Sequence, residues 1–213
     1  MQRRALMAAA CRAQNKNNRN GDPMSLKLNV IVGSTRPGRR GLAVAQWLAE
    51  HAASLGSFQV ELVDLADFNL PLLDEAAHPA MQRYEHEHTK RWAASVAAAD
   101  AYVFVTPEYN YFPPASLVNA LQVVMGEWNR KVAGVLSYGG ISGGLRAAQQ
   151  LRLLIASTNM HSLPQVVPVP NVPALIDDAG KFNPVAATVD GSTAMLNELH
   201  AWAGALKTLR NPS

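Results

Sequence analysis

Cysteine is nearly absent from this 213-residue chain, which contains only Cys11. A single cysteine excludes an intramolecular disulfide and a cysteine-based metal cage. It also fits a reducing compartment, so we expect a cytoplasmic location. Long apolar runs are missing too: no stretch approaches the roughly 18 consecutive apolar residues that a membrane helix needs. The sequence therefore predicts no membrane partner.

The body of the chain has little excess charge of either sign. The net charge is +3, but residues 1–24 alone carry +4, because five basic residues there face one acidic residue (Arg3, Arg4, Arg12, Lys16 and Arg19 against Asp22). The rest of the chain therefore carries −1. Such a body offers no basic surface for a nucleic acid, so we expect no nucleic-acid partner.

The basic segment is rich in alanine, arginine and asparagine. We expect residues 1–24 to be a disordered N-terminal extension, with Met24 as an alternative start; a transit peptide is the other interpretation. Residues 25–213 show neither an internal repeat nor a linker. We therefore predict one domain over 25–213.

Short apolar runs alternate with helical patterns along this domain. The runs predict five strands, at 28–32, 58–65, 101–105, 132–137 and 166–169. Helices are predicted at 42–52, 84–99, 115–126 and 145–157, and a final helix is predicted from the apolar face formed by Met195, Leu199, Trp202, Leu206 and Leu209. This alternation predicts an α/β fold in which a parallel sheet is covered by helices on both faces.

Three loops that leave predicted strands contain residues suited to a ligand. In an open parallel sheet, ligands bind beyond the carboxyl ends of the strands. The first loop, 33–41, combines hydroxyls, arginines and glycines just before a helix, which suits a phosphate group. It has neither the dinucleotide-binding glycine pattern nor the P-loop pattern. A solvated basic turn is the alternative interpretation.

The second and third loops suit a flat ring. Residues 106–114 contain two tyrosines, a phenylalanine and an asparagine, and aromatic rings pack well on a planar heterocycle. Residues 137–144 contain four glycines, which let the backbone approach a ligand closely. The alternatives are that Tyr111 and Phe112 belong to the core or to an oligomer interface, and that the glycines form only a flexible connection.

These loops resemble the NADPH-dependent FMN reductase family. The resemblance lies in Gly-Ser-Thr-Arg-Pro-Gly-Arg after the first strand, Pro-Glu-Tyr-Asn after the third, and Ser-Tyr-Gly-Gly after the fourth. It runs from about Leu26 to Arg152. It implies a flavodoxin-like three-layer α/β/α sandwich with strand order 2-1-3-4-5. It also implies that the protein binds FMN and uses NADPH or NADH as co-substrate. The electrons would pass to a small-molecule acceptor such as a flavin, quinone, azo dye or chromate.

The resemblance assigns residues as well. Ser34, Arg36, Arg39, Arg40 and Gly41 would hold the FMN phosphate; Pro107, Glu108, Tyr109 and Asn110 would line the isoalloxazine; and Ser137, Gly139 and Gly140 would line its other edge. No side chain need be catalytic, because the flavin carries the chemistry.

The resemblance further implies a homodimer or homotetramer, with the Pro71 loop and the helix from Ala115 reaching the partner subunit. Residues 117–122 lack the lysine and aspartate that the family often has there. This chain must therefore make that contact by other side chains.

Two other functions are compatible with this pattern. A flavodoxin-type electron carrier would bind FMN without oxidising a pyridine nucleotide, but such carriers tend to present an acidic face that this near-neutral body lacks. A flavin-free scaffold is the other, since fold does not fix function. We expect no metal site, because His86 and His88 fall in a predicted helix where positions i and i+2 face apart. Ser142 lacks the Gly-x-Ser-x-Gly elbow of a hydrolase.

Overall fold

The computed structural model describes residues 25–210. The predicted extension over residues 1–24 lies outside the described residues, as do residues 211–213 of the predicted domain. The sheet has five strands, β1 (Lys27–Val32), β2 (Gln59–Asp64), β3 (Ala101–Pro107), β4 (Val132–Tyr138) and β5 (His161–Val169). All neighbours pair in parallel, in the order β2-β1-β3-β4-β5. The predicted α/β class and strand order are confirmed.

Helices cover both faces of this sheet. They are α1 (Gly41–Leu55), α2 (Leu65–Phe68), α3 (Glu87–Ala98), α4 (Ala115–Gln122), α5 (Leu145–Ser157) and α6 (Ala186–Arg210). One face packs against α1 and α6, and the other packs against α2 to α5. Every residue of β3 and β4 is buried, whereas three of the six residues of β2 are exposed, as expected when central parallel strands are covered on both sides.

A cluster of aromatic side chains sets the end of α4. Trp128 is fully buried, with its ring 4.9 Å from Tyr102 and 5.9 Å from Trp92. Its indole N–H donates to the carbonyl oxygen of Val124 at 3.0 Å. The helix predicted to reach residue 126 therefore ends at Gln122, because the chain turns inward to bury this tryptophan.

The last strand is longer than predicted. β5 begins at His161, five residues before the predicted start at 166, and it includes Pro164. The register against β4 shifts between Ala133 and Val135. An edge strand with such an irregularity accommodates a proline, because no ladder hydrogen bond is lost on the open side.

The expectation that His86 and His88 face apart within one helix is wrong. The helix expected from residue 84 begins at Glu87, because the carboxylate of Glu75 accepts the N–H groups of Glu85 (2.8 Å) and His86 (3.1 Å) and holds them before the helix. The two histidine rings therefore stack, with centroids 5.2 Å apart, instead of facing apart. Within residues 25–210, no group of three or more His, Cys, Asp or Glu side chains is arranged to hold a metal ion.

The final helix buries only part of its predicted face. Met195 and Leu199 are fully buried, but Trp202 and Leu209 are 40% and 54% exposed. Trp202 instead packs against the ring of His161, with centroids 4.0 Å apart. Between residues 25 and 210, no helix combines the length and apolar character needed to cross a bilayer.

The end of α6 is held at the amino edge of the sheet. Asp100, which directly precedes β3, forms ion pairs with Arg210 and with Lys207 (3.4 Å). Arg210 also donates to the backbone carbonyl oxygen of Arg130 at 2.9 Å. The three loops singled out from the sequence lie at the opposite, carboxyl edge.

Candidate functional site

The loop between β1 and α1 leads into a helix N-terminus that is open to an anion. Arg40 precedes α1 without making a side-chain cap, and the first turn contains no acidic residue. The first N–H groups of a helix have no partner within the helix and carry a partial positive charge. Arg36 and Arg40 are exposed beside this turn, and the buried Ser34 adds a hydroxyl. This set of donors and positive charges fits a phosphate monoester.

Tyr109 joins the second loop to the first. Its hydroxyl lies 2.8 Å from the Ser34 Oγ, and the guanidinium of Arg36 lies 5.9 Å from its ring centroid. The hydroxyl of Tyr109 therefore faces the phosphate-type loop, although the resemblance placed this residue at the isoalloxazine. Sequence could not reveal this, because the reach of a phenol depends on how closely the loops after β1 and β3 approach.

Arg39 points towards β2. Its guanidinium pairs with Asp64, and the two side chains are 20% and 12% exposed. Asp64 also accepts the N–H of Ala66 at 3.0 Å, which caps α2. The charge of Arg39 is thus largely matched by a carboxylate, and the pair fixes the position of the loop that contains Arg36 and Arg40.

The second loop is a tight hairpin. Tyr109 and Phe112 exchange two backbone hydrogen bonds, of 2.9 and 3.0 Å, so that Asn110 and Tyr111 form a two-residue turn. Both central residues have positive φ, 49° and 73°. Asparagine tolerates this conformation better than tyrosine does. The hairpin leaves Tyr111 59% and Phe112 56% exposed, which gives the sheet edge an open aromatic surface.

Glu108 is held by residues at the start of α5. Its side chain is 7% exposed and pairs with the guanidinium of Arg146. Its carboxylate also accepts the N–H groups of Arg146 (3.1 Å) and Ala147 (3.4 Å), which caps the N-terminus of α5. Burial raises the pKa of Glu108, but these hydrogen bonds and the arginine charge outweigh it and hold the pKa below its usual value.

The third loop leaves backbone atoms open to a ligand at Gly140. Pro107 and Tyr138, the last residues of β3 and β4, pair beside it and are buried. The Ser137 hydroxyl is also buried and donates to the Gly143 carbonyl oxygen at 2.8 Å, so it supports the loop from below. At Gly140, no atom lies within 4 Å of the position that a Cβ would occupy, and the N–H of the neighbouring Gly139 donates to β5.

Tyr138 links the third loop to the first. A Cβ at Gly41 would collide with the Tyr138 hydroxyl oxygen, so α1 can approach the end of β4 only with glycine at this position. Burial raises the pKa of Tyr138, which keeps the phenol neutral. The resemblance assigned Gly41 to the phosphate but gave Tyr138 no role, although this residue is the tyrosine of the Ser-Tyr-Gly-Gly motif. Its place directly before Gly139 and Gly140 is the signal that could have pointed to it.

Comparison with known proteins gives a consistent result. The profile of the family described as NADPH-dependent FMN reductase matches residues 26–174. An NAD(P)H-dependent FMN reductase of Schizosaccharomyces pombe is 41% identical over 140 residues, which cover 65% of this chain and 70% of that protein. An NAD(P)H-dependent FMN reductase of Saccharomyces cerevisiae is 32% identical over 162 residues, covering 70% of this chain and 84% of that protein.

Solved structures share this fold. The flavoenzyme NAD(P)H:(acceptor) oxidoreductase FerB of Paracoccus denitrificans superposes with a TM-score of 0.64. The match covers 84% of this chain and 98% of FerB, at 19% identity. At this identity the likeness concerns the fold alone, and it confirms the flavodoxin-like arrangement predicted from the sequence.

Proposed function

Because the chain belongs to the NADPH-dependent FMN reductase family, we propose that it is an FMN-dependent NAD(P)H oxidoreductase that passes electrons to a small-molecule acceptor. This membership confirms the enzyme class and the pairing of FMN with a nicotinamide co-substrate, both of which the resemblance implied. The flavodoxin-type carrier has less support, since the named relatives are NAD(P)H-dependent reductases.

The observation that carries the site proposal is the convergence of three loops on one edge of the sheet. Ser34, Arg36, Arg40 and the N–H groups at Gly41 form one side of the site, and they would hold the FMN phosphate together with the Tyr109 hydroxyl. Arg39 would act on the phosphate through its pair with Asp64, which positions the loop. A phosphate contacted by an arginine and by helix N–H groups is held by charge-assisted hydrogen bonds, which are stronger than neutral ones.

The ring side of the site would lie between the second and third loops. Pro107 and Asn110 would line one edge of the isoalloxazine, and Gly139 and Gly140 would let the backbone approach the other edge. When bound, FMN supplies the hydride-accepting ring. The exposed surface formed by Tyr111, Phe112 and Ile141 leaves an approach for the nicotinamide and, after it departs, for the acceptor. A flavin, quinone, azo dye or chromate would suit such an open approach.

Assembly into a homodimer or homotetramer is part of the proposal. A groove of about 450 Å³ lies between the Pro71 loop, α4 and α5. Leu73 and Met125 line it and are exposed, by 45% and 38%. Exposed apolar side chains clustered in this way favour a second copy of the chain as the occupant. Light scattering should give a dimer or tetramer mass, and Leu73→Glu should reduce it to that of the monomer.

A cytoplasmic location completes the proposal. It is supported by the single cysteine, which fits a reducing compartment. Fractionation of the host cells with marker enzymes for each compartment tests it, and recovery of the protein outside the cytoplasmic fraction would contradict it.

The visible spectrum of the protein with added FMN, followed by anaerobic NADPH or NADH, tests the function. We expect flavin absorbance that bleaches with at least one nucleotide. Bound flavin that stays oxidised would favour the carrier, and absence of flavin binding would leave the scaffold. Arg36→Ala should weaken FMN binding while leaving riboflavin, which lacks the phosphate, unaffected. The exposed Arg83→Ala variant is the matched control, and it should bind both flavins normally.

A further inference from the structure

A buried carboxylate, an arginine and an exposed tyrosine connect the second loop to α5. The carboxylate of Glu108 forms an ion pair with the side chain of Arg146 and accepts a hydrogen bond of 3.1 Å from the backbone N–H of Arg146. The guanidinium carbon of the same arginine lies 4.0 Å from the ring centroid of Tyr111. One arginine therefore contacts both the residue before the hairpin and the tyrosine within it. We call Glu108, Arg146 and Tyr111 the clasp.

The turn that the clasp contacts needs support. Asn110 and Tyr111 both have positive φ, which is disfavoured for a residue with a bulky side chain. The Tyr111 side chain is 59% exposed, so it gains little from burial. Its stacking on the guanidinium of Arg146 is a contact that stabilises the left-handed conformation from outside the hairpin.

We propose that the clasp fixes the Asn110–Tyr111 turn in the conformation that receives the ring of the flavin, and that Glu108 and Arg146 are positioning residues which do not contact FMN themselves. This inference rests on the proposed function. It differs from the assignment of Glu108 to the isoalloxazine, because the carboxylate is already occupied by Arg146 and the N-terminus of α5.

The charges within the clasp make the proposal specific. The positive charge of Arg146 is matched by Glu108, so the clasp adds no net charge to the site. Its loss should therefore act on the ring side of the flavin, and it should weaken the binding of riboflavin as well as that of FMN. An arginine that binds phosphate would behave in the opposite way, because only the phosphorylated flavin would lose a contact.

The experiment is a titration of flavin-free protein with FMN and with riboflavin, followed by quenching of flavin fluorescence. Arg146→Met and Tyr111→Leu should each raise both dissociation constants, roughly 3- to 30-fold, the range expected for one cation–π contact. The double variant should bind no more weakly than the weaker single variant, because both remove the same contact. Arg152→Met, on the same helix, is the matched control and should bind like the unaltered protein.

Two results would overturn the proposal. One is that Arg146→Met weakens FMN but not riboflavin, which would make Arg146 a phosphate ligand. The other is that the two single effects add in the double variant, which would make them independent.

A readout without flavin separates this inference from the proposed function. In the flavin-free protein, the amide protons of Tyr109 and Phe112 close the hairpin. In Arg146→Met they should exchange with solvent at least about tenfold faster, as expected if local opening becomes easier. Failure of the unaltered protein to bind any flavin would defeat the proposed function, and unchanged exchange in the variant would defeat the clasp.

Discussion

Replacing Lys131 by methionine should flatten the dependence of folding stability on pH between pH 8 and 10. Lys131 is 5% exposed. Its Nζ donates to the carbonyl oxygens of Val96 (2.7 Å) and Ala97 (3.1 Å) at the end of α3, and to the Tyr102 hydroxyl at 3.0 Å. Burial lowers the pKa of Lys131 from 10.5 to about 8; Arg210 adds to this lowering, whereas the negative charges of Asp100 and Glu127 oppose it.

The free energy of unfolding should rise with pH because the folded and unfolded states bind different numbers of protons. In the unfolded chain Lys131 stays protonated up to its usual pKa of 10.5, whereas in the folded protein it loses its proton near pH 8. Above pH 8 the unfolded state therefore binds more protons, and the free energy of unfolding rises with pH. At about 1.4 kcal/mol per pKa unit, this rise amounts to about 2 kcal/mol between pH 8 and 10. Burial raises the pKa of Tyr102. Its ionisation in the unfolded chain therefore lowers stability above its usual pKa of 10.0, so the gain in stability ends near pH 10.

Urea unfolding at pH 7, 8, 9 and 10, followed by tryptophan fluorescence, measures this dependence. The unaltered protein should gain stability from pH 8 to 10, and Lys131→Met should show no such gain. Lys90→Met is the matched control. Lys90 is exposed, and Glu87 raises its pKa above 10.5, so it titrates above the range from pH 8 to 10. A flat profile for the unaltered protein, or a slope that persists in Lys131→Met, would refute the reasoning.

Three further substitutions test the packing around the site. Gly41→Ala places a methyl group against the Tyr138 hydroxyl and should lower the free energy of unfolding by about 1–3 kcal/mol in urea. Gly140→Ala, which has open space around the new methyl group, should lower it far less. Equal losses would contradict the close approach of α1 to Tyr138. Trp128→Ala should cost about 3–5 kcal/mol, because a fully buried indole is lost, and a cost below about 1 kcal/mol would contradict that burial. Asn119→Ala removes the side-chain bonds to the Pro71 loop (2.7 and 3.1 Å) and should speed proteolysis there without slowing binding of FMN; an unchanged cleavage rate would count against this role.

The sequence predicted the parts of the fold that local pattern controls. Apolar runs such as 101–105 and 132–137 are long, β-branched and bounded by turn residues, and they became the two fully buried strands. The helix at 145–157 was predicted to the residue, since glycines precede it. The helix from Ala115 was predicted too long, because the burial of Trp128 depends on tertiary contacts. The helical periodicity of the sequence does not reveal such contacts.

The candidate site could also be predicted only in part from the sequence. The loops could be found because their glycines, arginines and aromatic residues are contiguous. The direction of each side chain could not, because it depends on partners far along the chain: Glu108 meets Arg146, and Arg39 meets Asp64. The stacking of His86 on His88 also escaped prediction, since it follows from backbone bonds to Glu75.

The anchoring of α6 at Asp100 has a practical consequence for measuring electron flow. The C-terminal end of this helix lies at the amino edge of the sheet, and β3, with seven residues, separates that edge from the three loops by about 20 Å. With Cys11 replaced by serine, a thiol introduced near Thr208 would therefore attach the protein to an electrode or bead with the proposed flavin site facing outward. Tethering through α1, whose first turn borders the loops, would bury that side against the support. The fold thus offers a handle for oriented immobilisation, and the current from a film attached through α6 should respond to added acceptor in solution.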